Sequence, residues 1–282
     1  MRTGGEPRVP NVAAQEERIF AANRASGRIA LSVTADGGRT RRARVHEDGS
    51  LRVRFPNANG PMLEAVIVNT GGGMTGGDQL KVEIALEAGA NLLAGTAAAE
   101  KIYRSTGPDA EMNVRLDVAE GARLVWLPQE TILFDRARLS RRIDVDLAES
   151  ASLLMAEAVV FGRAAMGEAM AQGLFADRWR LRRGGRLVYA DSVRLDGAIA
   201  DKLARPAVTA GGIAIATVLM APGGEDQLAA VRALQSEGEV GISAWGGIAV
   251  ARLIAKDGAA LRHDLIALLA ALGQSVPRLW LN

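Results

Sequence analysis

VRLDVAEGARLV, residues 114–125, is the middle copy of a phrase that occurs three times: VEIALEAGANLL begins at Val82 and IDVDLAESASLL at Ile143. Each copy is an alternating apolar run, a small-residue turn and a second apolar run. Gly89, Gly121 and Ser150 are then equivalent, at spacings of 32 and 29 residues. A near-constant period of that size marks stacked supersecondary units, each unable to bury its own apolar face without the next. The period of two in Val82, Ile84 and Leu86, and again in Val114, Leu116 and Val118, makes the units β rather than helical. The expected fold is mainly β: a β-superhelix or layered β core of stacked repeats, with a few helices and an α+β C-terminal part, not a Rossmann sheet.

Upstream of the repeats, residues 1–24 are polar and carry Pro7 and Pro10, which predicts a loose arm. From Arg28 the alternation Ile29, Leu31, Val33 runs into Asp36-Gly37-Gly38, then Arg39 to His46, Asp48-Gly49, and Leu51, Val53, Phe55. Gly and Asp supply the positive φ of tight hairpin turns, so the stretch reads as a β-meander. Ala65 to Val68 leads into Asn69-Thr70-Gly71-Gly72-Gly73-Met74-Thr75-Gly76-Gly77-Asp78. Five glycines in seven positions invite comparison with a phosphate-cradling loop, but no Gly-Lys-Ser/Thr is present and a strand, not a helix, follows. The stretch therefore predicts a tight crossover between strands, with Asp78 capping the turn or facing a cavity.

Each repeat ends in charge. Glu100, Lys101 and Arg104 follow the first, in TAAAEKIYRS. Gln129, Glu130, Thr131 and Asp135 follow the second, after Pro128 interrupts the strand and places them at a bulge or edge. Glu157 lies within the apolar run that closes the third, ahead of Arg163 and Glu168, so it is paired, with Arg163 as the candidate, or faces a wet interior. From Trp179 to Val193 a further β pair turns at Gly184-Gly185, and its arginines Arg178, Arg180, Arg182, Arg183 and Arg186 read as the solvated face of a half-buried strand. Beyond Pro206, Ile213 to Met220 and Ile248 to Ile254 read as strands. Glu225 to Gln235 reads as a helix, and Leu261, Leu265, Leu268, Leu269 and Leu272 mark one face of another that ends at Gly273. The expected organisation is an arm over 1–24, a β-rich core over 25–205 and an α+β part over 206–282 packed on it.

Composition narrows the chemistry. Of 282 residues 49% are apolar and 23% charged, the profile of an ordinary globular chain, and no apolar window approaches the roughly 18 residues that span a bilayer. The first 20 residues lack an apolar signal core and the chain has no cysteine, which together predict a cytoplasmic protein without disulfides. The formal charge of +2 is a weak footprint for nucleic acid. Only His46 and His263 are present, and there is no HExxH, no His-x-His, no CxxC and no Gly-x-Ser-x-Gly, so neither a tight metal centre nor a serine hydrolase is expected. An enzyme would need facing carboxylates, with Glu100, Glu130, Asp135 and Glu157 as candidates for a carbohydrate-active β-helical enzyme. A non-enzymatic scaffold fits the inventory better.

Four phrases in fixed order, GGGMTGGDQL, TAAAEKIYRS, LVWLPQETILFDRARL and AEAVVFGRAAMGE, together with GGRTRRARVHEDGSLRV ahead of them, resemble the urease accessory protein UreD (UreH) family. The likeness is strong over residues 28–200 and looser in the tail, and it departs from the family at Ser50 and at Asn69-Thr70. The resemblance implies a β-superhelical scaffold or chaperone without enzymatic activity. Such a protein binds apo-urease and UreF, meets UreG through UreF, and assists nickel insertion, nickel being a transient cargo conducted through an internal tunnel. No tightly bound cofactor is implied. By motif match, Asp78, Glu100, Lys101, Tyr103, Arg104, Gln129, Glu130, Thr131, Asp135, Glu157, Arg163 and Glu168 are the candidate tunnel or partner-binding residues. Within that set Asp78, Glu130 and Glu157 are expected to line the path and touch nickel weakly, with Lys101, Tyr103 and Arg163 shaping its wall by pairing.

Overall fold

In register, Val82 pairs with Val114 and Val114 with Ile143, so the three copies of the repeat stack residue for residue as the alignment requires. The computed structural model describes residues 23–56 and 62–281, and the expected arm lies outside it apart from Asn23 and Arg24. Strands β5 (Gln79–Leu86), β8 (Ala110–Val118) and β11 (Arg138–Leu147) are the repeat starts, parallel neighbours in one sheet. Strand β1 (Ser26–Asp36) extends the stack on one side with Ile29 against Val82, and β14 (Gln172–Arg183) on the other with Trp179 against Ile143. After each repeat start the chain turns through the same bond: the amides of Ala90, Ala122 and Ala151 donate to the carbonyls of Glu87, Ala119 and Ala148, each at 3.1 Å. It then returns as β6 (Asn91–Thr96), β9 (Arg123–Leu127) or β12 (Ser152–Arg163), which build the second sheet. The result is a β-solenoid of about four turns.

The rows of inward side chains explain why the stack holds. Leu31, Ile84, Leu116, Val145 and Leu181 lie side by side across five strands and all are buried. Each such side chain contributes about 1.5–3 kcal/mol relative to exposure, and only the neighbouring coil supplies the cover. A short third face closes the coil, made by β7 (Glu100–Ile102), β10 (Thr131–Leu133) and the end of β12. One strand thus serves two faces: β12 pairs with β9 through Ser152–Met155 and with β10 through Val159–Phe161.

The meander departs from expectation. Strand β2 (Arg39–Gly49) pairs with β1, but β3 (Leu51–Arg54) leaves it and pairs with β4 (Leu63–Asn69) in the second sheet. Gly49 makes the switch: it has φ +59°, and a Cβ there would sit 1.7 Å from the Ser26 carbonyl oxygen. Beyond β14, the Gly184-Gly185 turn leads to β15 (Arg186–Ala198) as the sequence suggests, followed by a one-turn helix, α1 (Ile199–Leu203), that no pattern announced.

The C-terminal part joins the second sheet rather than standing apart from it. Strand β16 (Ala214–Ala221) runs antiparallel to β12, followed outward by β18 (Ile248–Ala255) and the unanticipated β17 (Glu239–Trp245). Helices α2 (Glu225–Arg232) and α3 (Gly258–Ala271) lie against the outer side of this sheet. Asp257 starts α3 by accepting the Ala260 amide at 2.8 Å, and Leu261, Leu265, Leu268 and Leu269 are buried as their spacing predicts. The described residues form two apolar cores, one inside the solenoid and one between the second sheet and the helices, the latter reaching Trp280.

Candidate functional site

The glycine stretch carries the first coil into the third face. Met74 forms a parallel bridge with Ile102, continuing a buried ladder of Met74, Ile102, Leu133 and Phe161. Tight glycines make this approach feasible: at Gly73, φ is +144° and a Cβ would meet the Lys101 carbonyl oxygen at 2.7 Å. The stretch is a strand crossover, as its sequence context indicates. Asp78 caps it, accepting the amides of Ala25 and Thr75, each at 2.8 Å.

In the register of the third face Glu100, Thr131 and Val159 form one row, and Lys101, Ile132 and Val160 the next. Alternation puts the first row on the side of Ile102 and Leu133, toward the interior, and the second row outward. Glu100 accepts a hydrogen bond from Asn69 Nδ2 at 3.0 Å. Burial drives its carboxyl up to about 7, against the Asn69 amide and the Lys101 backbone amide, which pull it down. Outward, Tyr103 packs edge-on to Phe134 at 5.0 Å between centroids and donates to the Gly72 carbonyl at 3.0 Å. Arg163 lies over the other part of this cluster, 4.1 Å from the Phe134 ring centroid, and pairs with Glu168 of the two-residue strand β13 (Glu168–Ala169).

Pro128 ends β9 at a corner where Gln129 and Glu130 turn out toward α3. Arg262 of α3 forks onto Glu130 with two bonds of 2.7 Å and donates to Gln129 Oε1 at 3.0 Å. Between this corner, the β10–β12 surface and the start of α3 lies a groove of about 820 Å³. Ala99, Ile132, Val160, Gly162 and Met166 line it, Glu130, Arg163 and Arg262 rim it, and Met166 is 74% exposed.

The remaining candidates fall elsewhere. Arg104 is exposed, bridging by its backbone to Ala137, and Lys101 is exposed without an ion pair among the described residues. Asp135 caps the entry to β14 by accepting the Ala171 and Gln172 amides at 2.8 and 3.1 Å. Glu157 is not paired by Arg163. It points into the solenoid, where Arg141 Nη1 donates to it at 2.5 Å and the Trp126 indole at 2.7 Å. The same guanidinium holds Asp177 through bonds of 3.0 and 2.6 Å, and the Trp179 indole donates to Asp177 as well, at 3.0 Å. Burial pushes the Glu157 carboxyl up, and Arg141 and the indole offset this only in part. Burial also opposes the Arg141 charge, but Asp177 and Glu157 more than compensate and raise its pKa. A cavity of about 40 Å³ beside the cluster runs toward Asp191 and Arg252, with room for about one water.

Asp78, Glu130 and Glu157, grouped by sequence as the lining of one path, therefore occupy three separate surroundings, and Glu130 points to the opposite side of the sheet from Glu100 and Glu157. Nor do Glu100, Glu130, Asp135 and Glu157 face one another across a cleft, as a glycosidase pair would. Sequence reading missed Arg141, Asp177 and Arg262. The first two carried a signal, since strict alternation in Leu139-Ser-Arg141-Arg-Ile143 and Phe175-Ala-Asp177-Arg-Trp179 turns both inward. Nothing local singled out Arg262.

The family model described as UreD urease accessory protein matches residues 25–281. A protein named urease accessory protein UreD from Rhodopseudomonas palustris (strain BisA53) is 56% identical, with all of both chains covered. Its counterpart in Bradyrhizobium diazoefficiens is 58% identical over 94% of this chain and 96% of that one. Urease accessory protein UreD 3 of Bradyrhizobium sp. (strain BTAi1) is 54% identical over the same shares. A near full-length match to the family model and relatives at this identity make the chain a member of the UreD family of urease accessory proteins.

Proposed function

We propose that the chain is a maturation scaffold without enzymatic activity of its own, which docks urease apoprotein and UreF, meets UreG through UreF, and assists nickel insertion into the urease active site. The observation that carries this reading is the groove beside α3, where an apolar floor is rimmed by the Glu130–Arg262 fork and by Arg163. Apolar centre and charged rim are the anatomy of a protein–protein interface. Eight of the twelve motif residues, Glu100, Lys101, Tyr103, Gln129, Glu130, Thr131, Arg163 and Glu168, gather on or around the third face that carries it. We assign the groove to UreF.

Nickel fits this scheme as cargo held weakly, by carboxylates, carbonyls and water, because imidazole or thiolate ligands would retain it. Among the described residues no group of three or more His, Cys, Asp or Glu side chains is placed to hold a metal ion. A passing cation would compete with Arg262 at Glu130 and with Arg141 at Glu157. At Glu100 the competing side chain is the neutral Asn69 amide, so Glu100 is the inward carboxylate best suited to a transient contact.

The test is co-expression with the urease subunits, UreF and UreG, followed by pull-down and a urease assay. Met166→Glu, at a side chain that is 74% exposed, is expected to remove UreF and activation together while the far-ultraviolet spectrum and melting temperature stay unchanged. Retention of the complex by that variant would sink the groove assignment. Glu100→Ala is expected to lower nickel-dependent activation with the complex intact.

A further inference from the structure

The arginines of β14 are left over once the groove and the interior cluster are accounted for. Arg178, Arg180 and Arg182 alternate with Trp179 and Leu181 and so project from the outer face of the first sheet, and none makes an ion pair or side-chain hydrogen bond among the described residues. The rest of that face is different. On β8 and β11, Arg115 is held by Asp117 and Asp146 at 2.8 and 3.0 Å, and Arg142 pairs with Asp144. On β5, Glu83 holds Arg28 and Lys81 at 2.8 and 2.9 Å. The middle of the sheet, β5 to β11, is thus neutralised within itself and Arg194 of β15 is held by Asp196 at 2.6 Å, whereas β14 carries three arginines without such partners, a feature shared only with the far edge strand β2 among the described residues. A trough of about 430 Å³ crosses the boundary, from Glu111 and Asn113 past Arg142 and Arg178 to Ser192 and Arg194.

We infer that the outer face of β11, β14 and β15 is a salt-sensitive docking surface for an acidic patch on a folded protein. Three unpaired guanidiniums in one strand keep their forked donors available for carboxylates, which they match in geometry. The choice of protein over nucleic acid rests on the neighbours. Asp144 stands beside Arg180 and Asp146 beside Arg182 in register, so a uniform polyanion laid along the ladder meets a carboxylate at two of the three steps, Arg142 standing beside Arg178 at the other. The outer face also offers no aromatic ring for a base to stack on between these arginines. A protein surface, with its own mixture of signs, can match acid to arginine and base to aspartate. The surface differs in kind from the apolar groove: charged contacts steer encounter and release readily, which suits a client that must leave after activation better than a standing partner. This last assignment, of the client to the charged face, rests on the proposed function.

Two measurements separate the inference from that function. Fluorescence anisotropy of the full chain with a labelled glutamate-rich peptide and with a short DNA duplex, at low and physiological salt, reads the face alone. Peptide binding that weakens roughly tenfold or more in Arg178→Glu/Arg180→Glu/Arg182→Glu, with weaker duplex binding, is expected. Duplex binding as tight as the peptide's, or peptide binding that the triple variant keeps, overturns the inference. Arg178→Gln/Arg180→Gln/Arg182→Gln, which adds no carboxylate, should lose the peptide in the same way if the fold is intact. The second measurement is binding to urease apoprotein. Failure of the wild-type chain to bind would count against the proposed function, whereas equal binding by wild type and triple variant would count against the charged face as the client's seat.

Discussion

Arg141 reaches from the first sheet across the solenoid interior to Glu157 on the second, 2.5 Å away, while its other nitrogens hold Asp177 on the adjacent strand. Its side chain is 1% exposed, and Glu157 and Asp177 are nearly as dry. Two carboxylates therefore depend on one guanidinium and two indoles for their solvation. Arg141→Met is expected to destabilise the chain by about 3–5 kcal/mol, since it strands two buried acids. Adding Glu157→Gln and Asp177→Asn to the same chain should recover much of that loss. Urea denaturation followed by tryptophan fluorescence measures both, and a single variant as stable as wild type would show that the interior is wet enough to solvate the acids.

Glu100 ties stability to pH in the unusual direction. Its carboxyl is raised to about 7 in the folded chain by burial, against 4.5 as the ordinary value. Between these limits the folded state holds a proton that the unfolded state has released, so stability falls as pH rises from 4.5 to 7 and stays low above. Glu100→Gln should remove this fall, leaving stability unchanged near pH 4 and raising it by up to about 3 kcal/mol at pH 8. Melting curves of both proteins across that range decide the matter; parallel pH profiles would mean that Glu100 is well solvated.

Helix α3 is fastened at its outer edge by the Arg262 fork on Glu130, a pair whose side chains are 25% and 12% exposed. Arg262→Lys keeps the charge but loses the fork and the Gln129 contact, and is expected to cost about 1–2 kcal/mol. Hydrogen exchange should locate the change: faster exchange over residues 258–271, with the solenoid strands unaffected.

Two glycines near Ser105 should behave oppositely. A Cβ on Gly76 would sit 1.9 Å from Ser105 Oγ and 2.4 Å from the Pro108 carbonyl oxygen, whereas one on Gly107 would meet nothing within 4 Å. Gly76→Ala is expected to lower the melting temperature by several degrees, as a cost of about 1–3 kcal/mol would. Gly107→Ala should leave it within about a degree.

Much of the architecture was readable because the repeat is written into one periodicity. Val82, Val114 and Ile143 were aligned by sequence, and the sheet pairs these same residues. Leu261, Leu265 and Leu268 likewise announced α3, whose cap Asp257 was not singled out. Strand β17 was overlooked because its inward residues Val240, Ile242 and Ala244 are only half-buried and its other face holds Gly241 and Ser243, so its place comes from pairing with β18. The candidate site was legible as a set of residues but not as a geometry. Glu157 was recognisably a buried acid, yet its partner Arg141 sits on the opposite sheet, 16 residues back along the same coil, and Arg262 meets Glu130 across 132 positions of sequence. Such pairings are set by stacking and packing, and no local pattern encodes them.

The register that stacks coil on coil has no natural last member, because a parallel strand always presents one more row of amides and carbonyls to whatever arrives next. Here the series is brought to an end from both directions. Strand β16 lies antiparallel along β12, and at the far margin of the first sheet β2 offers a newcomer a row of exposed arginines, Arg39, Arg41, Arg42 and Arg44. Neither end therefore presents a bare parallel edge, and the charge on β2 discourages a second chain from continuing the stack there.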